Sequence, residues 1–363
     1  MMRRLLCTAL AMSLTLLATV GTSTTVNAAE QKKPHTLAVS IYAGWMPWYY
    51  AKETGIIKKW ADKYGVAIDV KYMDYVPSLE AYVAGQADAV VATNMETLDM
   101  PCASGVDSSA IIMGDYSNGN DAVLTRDKIQ LSQLKGQTVN LVEKTVSQYL
   151  LGRALESVKL HEKDVKLVNV SDSDIAPSFL ASKSQKVVVS WNPMVMEIEK
   201  SPGITRVFDS SKTPGEVQDL LVMNTKVLNA NPNLARALVG AWYEVMGIMS
   251  KPGPEADKAI AKMAELAKTT ATEFKGQLKT TAMYYTPKAA VEYTKSKDLQ
   301  AKQDLVRKFC YTHNLLGEHV ASADVVGIEY PDGTVQGDKK KIKMHYVSKF
   351  MEEAADGKLS AKK

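Results

Sequence analysis

The chain has 363 residues, of which 46% are hydrophobic and 23% are charged, and its formal net charge is +4. This length is enough for two domains of ordinary size. The small charge is scattered along the chain, so it gives no support for binding to nucleic acid or to a membrane surface. Lysine runs at 339–341 and at the C-terminus are typical of solvated loops and tails.

The first 28 residues have the pattern of a secretory signal peptide. Arg3 and Arg4 precede an apolar run over 5–20, and a small-x-small cleavage site ends at Ala28. The run is short for a membrane span, which needs ~20 apolar residues, and Ser and Thr interrupt it, so a membrane anchor is the weaker interpretation. We therefore expect an exported chain, located in the periplasm after cleavage near Ala28.

After residue 28, short β-rich runs alternate with helical segments. Nine runs are predicted to be strands: 36–42, 67–72, 87–92, 109–113, 122–125, 138–142, 166–170, 186–191 and 218–223. Several of them are continuously apolar, which is typical of strands buried on both faces of a sheet. The segments between them, such as 147–158, have helical periodicity. This alternation predicts parallel sheets with helices on both faces.

The pattern becomes mostly helical after about residue 232. Four helices are predicted in this part of the chain: 234–249, 255–268, 288–295 and 299–314. The turn residues Pro331, Asp332 and Gly333 predict a surface loop or hairpin over 330–341. We expect this helical C-terminal region to pack on the first of two lobes.

The connection 114–121 (GDYSNGND) joins two predicted strands without a helix and contains the turn signal Asn118-Gly119. A strand that leaves one lobe for the other has this character, and we expect the return crossing over 214–218. The expected domains are 29–120 for the first part of lobe 1, 121–216 for lobe 2, and 217–363 for the second part of lobe 1 with the helical C-terminal region.

Three blocks carry a resemblance to a known family: 42–56 (YAGWMPWYYAKETGI), 85–90 (GQADAV) and 139–170. In this order they resemble the nitrate, taurine and alkanesulfonate binding-protein family, which also includes receptors for thiamine-pyrimidine precursors. The similarity extends over nearly the whole chain after residue 28. It implies a type II periplasmic binding fold, an α/β architecture of two doubly wound lobes joined by two hinge strands, with a helical C-terminal extension in this chain.

The resemblance also implies a function. The chain would be the solute-binding component of an ABC importer, a monomer without a cofactor whose partners are a small-molecule ligand and the permease subunits at the inner membrane. Four segments are most similar to the branch that accompanies urea and guanidine carboxylases: 44–48 (GWMPW), 93–97 (TNMET), 114–121 and 190–193 (SWNP).

Ligands of doubly wound sheets bind beyond the C-terminal ends of the strands, and in a two-lobed receptor those ends face a common cleft. The loops that follow the predicted strands therefore supply the candidate ligand-binding residues: Trp45, Trp48, Asn94, Glu96, Asp115, Asp121, Glu143, Gln148, Asp174 and Trp191.

These loops are rich in aromatic and acidic residues, and Lys144 is the base among them. Aromatic faces and carboxylates suit a planar or compact cation, whereas a carboxylate repels nitrate or a sulfonate. The ligand hypothesis is a small nitrogen compound, guanidinium first or a urea-like molecule. Nitrate, taurine or another sulfonate, and a thiamine-pyrimidine precursor remain alternatives.

Helix capping is the structural alternative for several of the acids. Glu96, Asp172 and Asp174 lie in or next to predicted first helical turns, where the helix dipole favours negative charge. Asp115 and Asp121 flank a turn that they could cap. Helix N-termini at the cleft also favour anions, which counts against a cationic ligand.

The sequence gives little support for an enzyme. Its five histidines have no metal-ligand spacing, and it contains no P-loop, dinucleotide fingerprint or nucleophile elbow. The strongest enzymatic alternative is a pyrimidine synthase on the same fold, which would need a metal-binding Cys/His set that the sequence lacks. Cys102 and Cys310 could form a disulfide in an exported protein, but their spacing leaves this open.

Overall fold

The computed structural model describes residues 33–359, so the signal peptide expected over 1–28 lies outside the described residues. The described chain contains fourteen strands and fourteen α-helices. The strands are β1 (His35–Val39), β2 (Ile68–Tyr72), β3 (Ala89–Thr93), β4 (Ser108–Ser117), β5 (Ala122–Arg126), β6 (Thr138–Leu141), β7 (Lys166–Asn169), β8 (Val187–Ser190), β9 (Ile204–Asp209), β10 (Gln218–Asn224), β11 (Thr281–Met283), β12 (Gly327–Glu329), β13 (Val335–Gln336) and β14 (Ile342–Tyr346).

The helices alternate with the strands up to β10 and follow one another closely after it. They are α1 (Met46–Glu53), α2 (Ile56–Tyr64), α3 (Tyr75–Val83), α4 (Asn94–Thr97), α5 (Val146–Ser157), α6 (Ile175–Ala181), α7 (Met194–Glu199), α8 (Thr225–Ala230), α9 (Pro232–Met249), α10 (Pro254–Leu266), α11 (Ala271–Lys279), α12 (Pro287–Thr294), α13 (Lys297–Thr312) and α14 (Lys349–Ala355).

The strands form two sheets, which define the two lobes. Lobe 1 is built on a nine-stranded sheet of order β13-β12-β14-β4-β10-β3-β1-β2, with β11 paired to β4. Lobe 2 is built on a five-stranded sheet of order β7-β6-β8-β5-β9. All nine strands predicted from the sequence are present, and β9 and the strands after β10 are additions that short or polar sequences did not signal.

The sheets are mixed rather than parallel. In lobe 1, β10 runs antiparallel to both β3 and β4, and in lobe 2, β5 runs antiparallel to β8 and β9. The expectation of wholly parallel sheets is wrong at these strands because β5 and β10 begin where the chain has just crossed between the lobes, and each therefore enters its sheet from the opposite end.

The chain crosses between the sheets twice. It leaves β4 at Ser117 and enters β5 at Ala122, and it returns between β9 and β10. Ser210, which follows β9, ties the two crossings together, because its Oγ lies 2.6 Å from Ser117 Oγ and accepts a 2.7 Å hydrogen bond from the Gly119 N–H. The predicted connection without a helix is therefore present, although β4 extends further than the sequence indicated.

Each sheet is covered on both faces by apolar side chains. In lobe 2, Val187 and Val189 of β8 pack on the α5 side, and Val188 packs on the side of α6 and α7. This explains why β8 reads as a continuous apolar run. Cys102 and Cys310 are both buried and free, so they form no disulfide. No helix between residues 33 and 359 combines the length and the apolar character that a membrane crossing requires.

The C-terminal region is helical as predicted, with α9 to α13 covering most of it. It also contributes strands to the sheet of lobe 1, since β14 pairs with β4, and β12 and β13 extend the sheet beyond β14. The turn at 331–333 connects β12 to β13 as an antiparallel hairpin, closed by the 2.9 Å hydrogen bond from the Tyr330 N–H to the Thr334 carbonyl.

Candidate functional site

A cavity lies at the strand ends between the two sheets, with a volume of about 310 Å³ that includes its opening to solvent. Lobe 1 contributes side chains that follow β1, β2 and β3 and that begin β10. Lobe 2 contributes residues that precede β5 and that follow β6 and β8. The cavity therefore occupies the position that the strand order predicts for a ligand site.

Aromatic rings form one wall of the cavity. Trp45 meets Tyr42 edge-on with ring centroids 5.0 Å apart, and it lies 5.3 Å from the ring of Tyr75. Tyr75 in turn meets Trp191 of lobe 2 edge-on at 6.0 Å. These four rings are buried and line the cavity in a continuous chain that crosses from one lobe to the other.

The cavity lining also contains carboxylate side chains. Asp121 and Asp219 line the cavity, and Asp115 lies behind it as the register partner of Asp219 on the adjacent strand. Tyr42 links the two walls, since its hydroxyl donates to Asp115 Oδ1 at 3.1 Å. Thr93, Val146 and Val217 complete the lining.

The acids of the cavity lack compensating bases. Asp121 Oδ1 is buried without a hydrogen-bond partner, the carboxyl groups of Asp115 and Asp219 are in hydrogen-bonding contact with each other, and no Lys or Arg is among the described residues that line the cavity. Burial raises the pKa of Asp115 to about 7 and that of Asp121 to about 6. Burial, followed by repulsion from Asp115, raises the pKa of Asp219 well above its ordinary value.

Glu96 joins the lobes beside the cavity. It lies in α4, is fully buried, and accepts a 2.8 Å hydrogen bond from the Val146 N–H at the start of α5 in lobe 2. Its other oxygen accepts from the Thr93 hydroxyl. Burial raises the pKa of Glu96 to about 7 in spite of these hydrogen bonds.

Asn120 holds the crossing segment next to the cavity. Its Nδ2 donates to the Tyr42 hydroxyl at 3.1 Å, to the Thr280 carbonyl at 2.8 Å and to Thr281 Oγ1 at 2.6 Å. The neighbouring Asp121 accepts a 2.5 Å hydrogen bond from Ser117 Oγ. The crossing therefore positions one carboxylate of the cavity and the tyrosine that contacts another.

Of the residues predicted from the sequence, Trp45, Asp121 and Trp191 line the cavity, with Glu96 and Asp115 directly behind its lining. Trp48 lies deeper in lobe 1, where it stacks on Trp242 with ring centroids 5.1 Å apart beside a smaller cavity of about 200 Å³.

Asn94 has a structural position instead. Its side chain is fully buried, accepts a hydrogen bond from the Gln218 N–H and donates to the Glu216 carbonyl and to Gln303. All of its polar atoms are therefore used to hold the start of β10 against α4 and α13.

The structure places Glu143, Gln148 and Asp174 away from the cavity lining. Gln148 accepts from the Lys144 N–H and donates to Glu162, so it closes the loop before α5. Asp174 is exposed and accepts from Ser171 Oγ, and the partly exposed Glu143 contributes its backbone N–H to Asn169. Asp174 precedes α6, but its carboxylate caps no backbone N–H of that helix, so the capping interpretation is also wrong for this residue.

Sequence reasoning did not nominate Tyr42, Tyr75 or Asp219. A signal existed for Asp219, because it is an acid within a predicted strand whose next four residues are apolar, and an unpaired charge in a buried strand is costly. Between residues 33 and 359, no group of three or more His, Cys, Asp or Glu side chains is arranged to hold a metal ion.

Comparison with known proteins gives a partial family match. The family described as NMT1/THI5 like matches residues 120–251, which is less than half of the chain. No curated protein sequence matches the chain significantly.

Solved structures are similar over most of the chain. The alkanesulfonate-binding protein SsuA from Xanthomonas axonopodis pv. citri, bound to MOPS, has a TM-score of 0.65 at 15% identity, over 80% of this chain and 97% of that chain. The periplasmic aliphatic sulphonate binding protein SsuA from Escherichia coli has a TM-score of 0.63 at 16% identity, over 78% of this chain and 89% of that chain.

An enzyme shares the same architecture. The desulfurization enzyme DSZB has a TM-score of 0.53 at 16% identity, over 79% of this chain and 94% of that chain. At such identities the likeness concerns the fold and not the activity. The chain therefore has the two-lobed α/β fold of the periplasmic binding proteins, with a helical C-terminal region, as the sequence resemblance predicted.

Proposed function

We propose that the chain is the solute-binding component of an ABC importer and that it captures a small nitrogen compound, guanidinium first or a urea-like molecule, between its two lobes. The observation that supports this most is the cavity wall. Two aspartates, Asp121 and Asp219, share the lining with a chain of four aromatic rings, and none of the described lining residues is basic.

Charge favours a cation in this cavity. The carboxyl groups of Asp115, Asp121 and Asp219 are buried together, and Asp121 Oδ1 has no hydrogen-bond partner. Ionising these acids is costly because burial removes water and no basic side chain of the lining replaces it. A cation that entered the cavity would supply the missing charge and donate to Asp121 Oδ1.

Shape favours a planar cation. Guanidinium presents a flat face that can lie against an indole or phenol ring, and its edge carries N–H donors in the geometry that a carboxylate accepts. The cavity provides both surfaces, with Trp45 and Trp191 on the aromatic wall and Asp121 and Asp219 on the acidic one.

The same wall disfavours nitrate and sulfonates, although sulfonate binding is named for two proteins of similar fold. An oxyanion at 4 Å from one carboxylate is repelled by ~1 kcal/mol in water and by more in a closed cavity. The alternative of a pyrimidine synthase is also disfavoured, because it would need a metal-binding Cys/His set and neither residue type is among the described residues of the lining.

Binding would couple to transport through lobe closure. Trp45, Tyr75 and Asp219 belong to lobe 1, whereas Asp121 and Trp191 lie at the lobe 2 side of the crossings. A ligand that contacts both sets stabilises the closed arrangement, and the two crossing segments supply the hinge. In this proposal the closed form, exported to the periplasm, delivers the ligand to permease subunits.

Calorimetry with guanidinium, urea, nitrate and taurine tests the ligand. Guanidinium and urea have the same planar shape and differ in charge, so tighter binding of guanidinium would report the carboxylates directly. Tight binding of nitrate or taurine without heat from guanidinium would refute the ligand class.

Two substitutions locate the binding site. Asp121→Asn keeps the shape of a lining residue and removes its charge, and we expect it to weaken guanidinium binding about tenfold or more, since a charge-assisted hydrogen bond is lost. Asp174→Asn is the matched control, because Asp174 is exposed and outside the lining. Equal affinity of the two variants would place the ligand elsewhere.

A further inference from the structure

Two carboxylate side chains, one from each lobe, accept a hydrogen bond from a backbone N–H of the other lobe. Glu96 of lobe 1 accepts from the Val146 N–H, the first amide of α5 in lobe 2. Asp172 of lobe 2 accepts at 2.8 Å from the Tyr75 N–H, the first amide of α3 in lobe 1. Each lobe therefore places an acid on a helix N-terminus of the other lobe.

Both helices begin at residues that line the cavity, Val146 for α5 and Tyr75 for α3. The first amides of a helix have no partner within the helix and carry partial positive charge, so they attract an anion. A third amide near the cavity, the Thr93 N–H at the start of α4, donates to the Tyr75 hydroxyl at 3.0 Å. These amides are thus already bonded within the protein.

We propose that Glu96 and Asp172 determine the ligand class because their carboxyl oxygens occupy the two helix N-termini at which the cleft could otherwise bind an oxyanion. This rests on the proposed function in one respect, that the ligand enters the cavity between the lobes. The further claim is that two features exclude oxyanions. One is the acidic lining formed by Asp121 and Asp219, and the other is the pair of hydrogen bonds that Glu96 and Asp172 accept across the two lobes.

Glu96 accepts hydrogen bonds from two residues of the cavity lining. Its side chain is fully buried between Thr93 and Val146, both of which line the cavity. Removal of the carboxylate would leave a backbone N–H and a hydroxyl at the cavity edge without their acceptor. These are donors of the kind that a sulfonate or sulfate oxygen requires, and the space of the lost side chain would lie beside them.

The test is a gain of anion binding. Glu96→Ala frees the Val146 N–H and removes the charge, whereas Glu96→Gln removes the charge but keeps a side-chain oxygen that can accept from that N–H. We expect Glu96→Ala to bind methanesulfonate or sulfate about tenfold or more tightly than the unsubstituted chain, since one like charge is removed and one donor is gained. Glu96→Gln should gain much less.

A second pair of variants, at Asp172, keeps the experiment decisive if the variants at the fully buried Glu96 do not fold. Asp172 is half-buried, so Asp172→Ala and Asp172→Asn disturb packing less. The alanine variant should again gain affinity for methanesulfonate, and the asparagine variant should gain less. Circular dichroism and thermal melting establish that each variant is folded.

Each result has a definite meaning. Equal gains for alanine and amide variants at both positions would show that charge alone matters, and no gain in any folded variant would show that these amides cannot take an anion; either result overturns the inference. Guanidinium binding by the unsubstituted chain is a separate measurement. If the unsubstituted chain does not bind guanidinium, the proposed ligand is refuted. A gain of anion binding in the alanine variants would still support the role of Glu96 and Asp172.

Discussion

Asp115 and Asp219 are register partners on the adjacent antiparallel strands β4 and β10. Directly opposed residues in such a pair point to the same face of the sheet, with Cβ atoms ~5 Å apart. Both side chains are buried, and burial together with their mutual repulsion keeps a proton on the pair. Together with Asp121, these acids retain protons at a pH where exposed aspartates have lost them.

Binding of a cation should release these protons. Because the pKa of Asp121 is about 6 and that of Asp115 about 7 in the unliganded protein, a bound cation that favours their charged forms displaces protons near neutral pH. Guanidinium affinity should therefore increase as the pH rises from about 5 to about 8. Calorimetry in buffers of different ionisation enthalpy measures the number of protons released.

Two comparisons make this result specific. Asp121→Asn should release fewer protons on binding, since one titrating group is lost. Urea, which is neutral, should bind with little dependence on pH over the same range. A guanidinium affinity that is flat from about pH 5 to about pH 8 would contradict the assignment of these acids to the site.

The stability of the unliganded protein should change with pH in the opposite direction. The folded-state pKa values of Asp115, Asp121 and Glu96 are raised, so the folded chain binds more protons than the unfolded chain between about pH 4 and 7. Their stabilising contribution is present at low pH and is lost as the pH rises through 6 to 7. For Asp121 alone the change between about pH 8 and pH 5 is roughly 1 kcal/mol.

Thermal melting of the unliganded chain measures this effect. The melting temperature should rise on acidification from about pH 8 to about pH 5. Asp121→Asn resembles the protonated acid, so this variant should melt above the unsubstituted chain at the higher pH and close to it at the lower pH. A melting temperature that falls steadily on acidification over this range would show that other groups dominate.

Much of the fold could be predicted because its strongest signals are local. The apolar run of β8 and the stripe of α5 both indicate buried elements, and both are present. β9 was missed because each of its six residues is only partly buried and its sequence lacks an apolar run. β12 and β13 were missed because they have only three and two residues. β14 was missed because it joins the sheet by pairing with β4, a partner that lies far away in sequence.

The site could be predicted only in part, for a related reason. Trp45 and Trp191 lie in loops directly after strands, which the sequence shows. Asp219 lies within β10, and only the antiparallel insertion of that strand next to β4 brings its carboxyl group to the cavity beside Asp115. Asp174 also lies in a loop after a strand, but it is exposed. Its position could not be predicted, because the local sequence pattern does not determine which side of a loop faces the cavity.

Gly44 should be required for the position of Asp115. A Cβ atom at residue 44 would lie 2.4 Å from Asp115 Oδ2 and 2.7 Å from the ring of Tyr42, so Gly44→Ala must displace one or both side chains. We expect guanidinium affinity to fall about tenfold or more, because the acidic wall and its tyrosine lose their alignment. Calorimetry at about pH 8 measures the change.

Gly247 is the matched control for this substitution. It lies in α9, and a Cβ atom there meets nothing within 4 Å. Gly247→Ala should leave guanidinium affinity unchanged and raise stability by up to ~1 kcal/mol, since alanine favours the helix. A Gly44→Ala variant with normal affinity would show that Asp115 does not contribute to the site.

Trp45 should contribute to affinity through its ring face. Trp45→Phe keeps an aromatic ring but reduces the area and the strength of cation–π contact, which contributes ~0.5–2 kcal/mol for an indole, so affinity for guanidinium should fall a few-fold to about tenfold. Trp60→Phe is the control, because Trp60 is also buried but bonds Glu244 on the outer side of lobe 1. That variant should lose stability by roughly 1–2 kcal/mol without losing affinity. If both variants bind guanidinium equally well, the aromatic wall does not hold the ligand, and the acids alone would have to account for its capture.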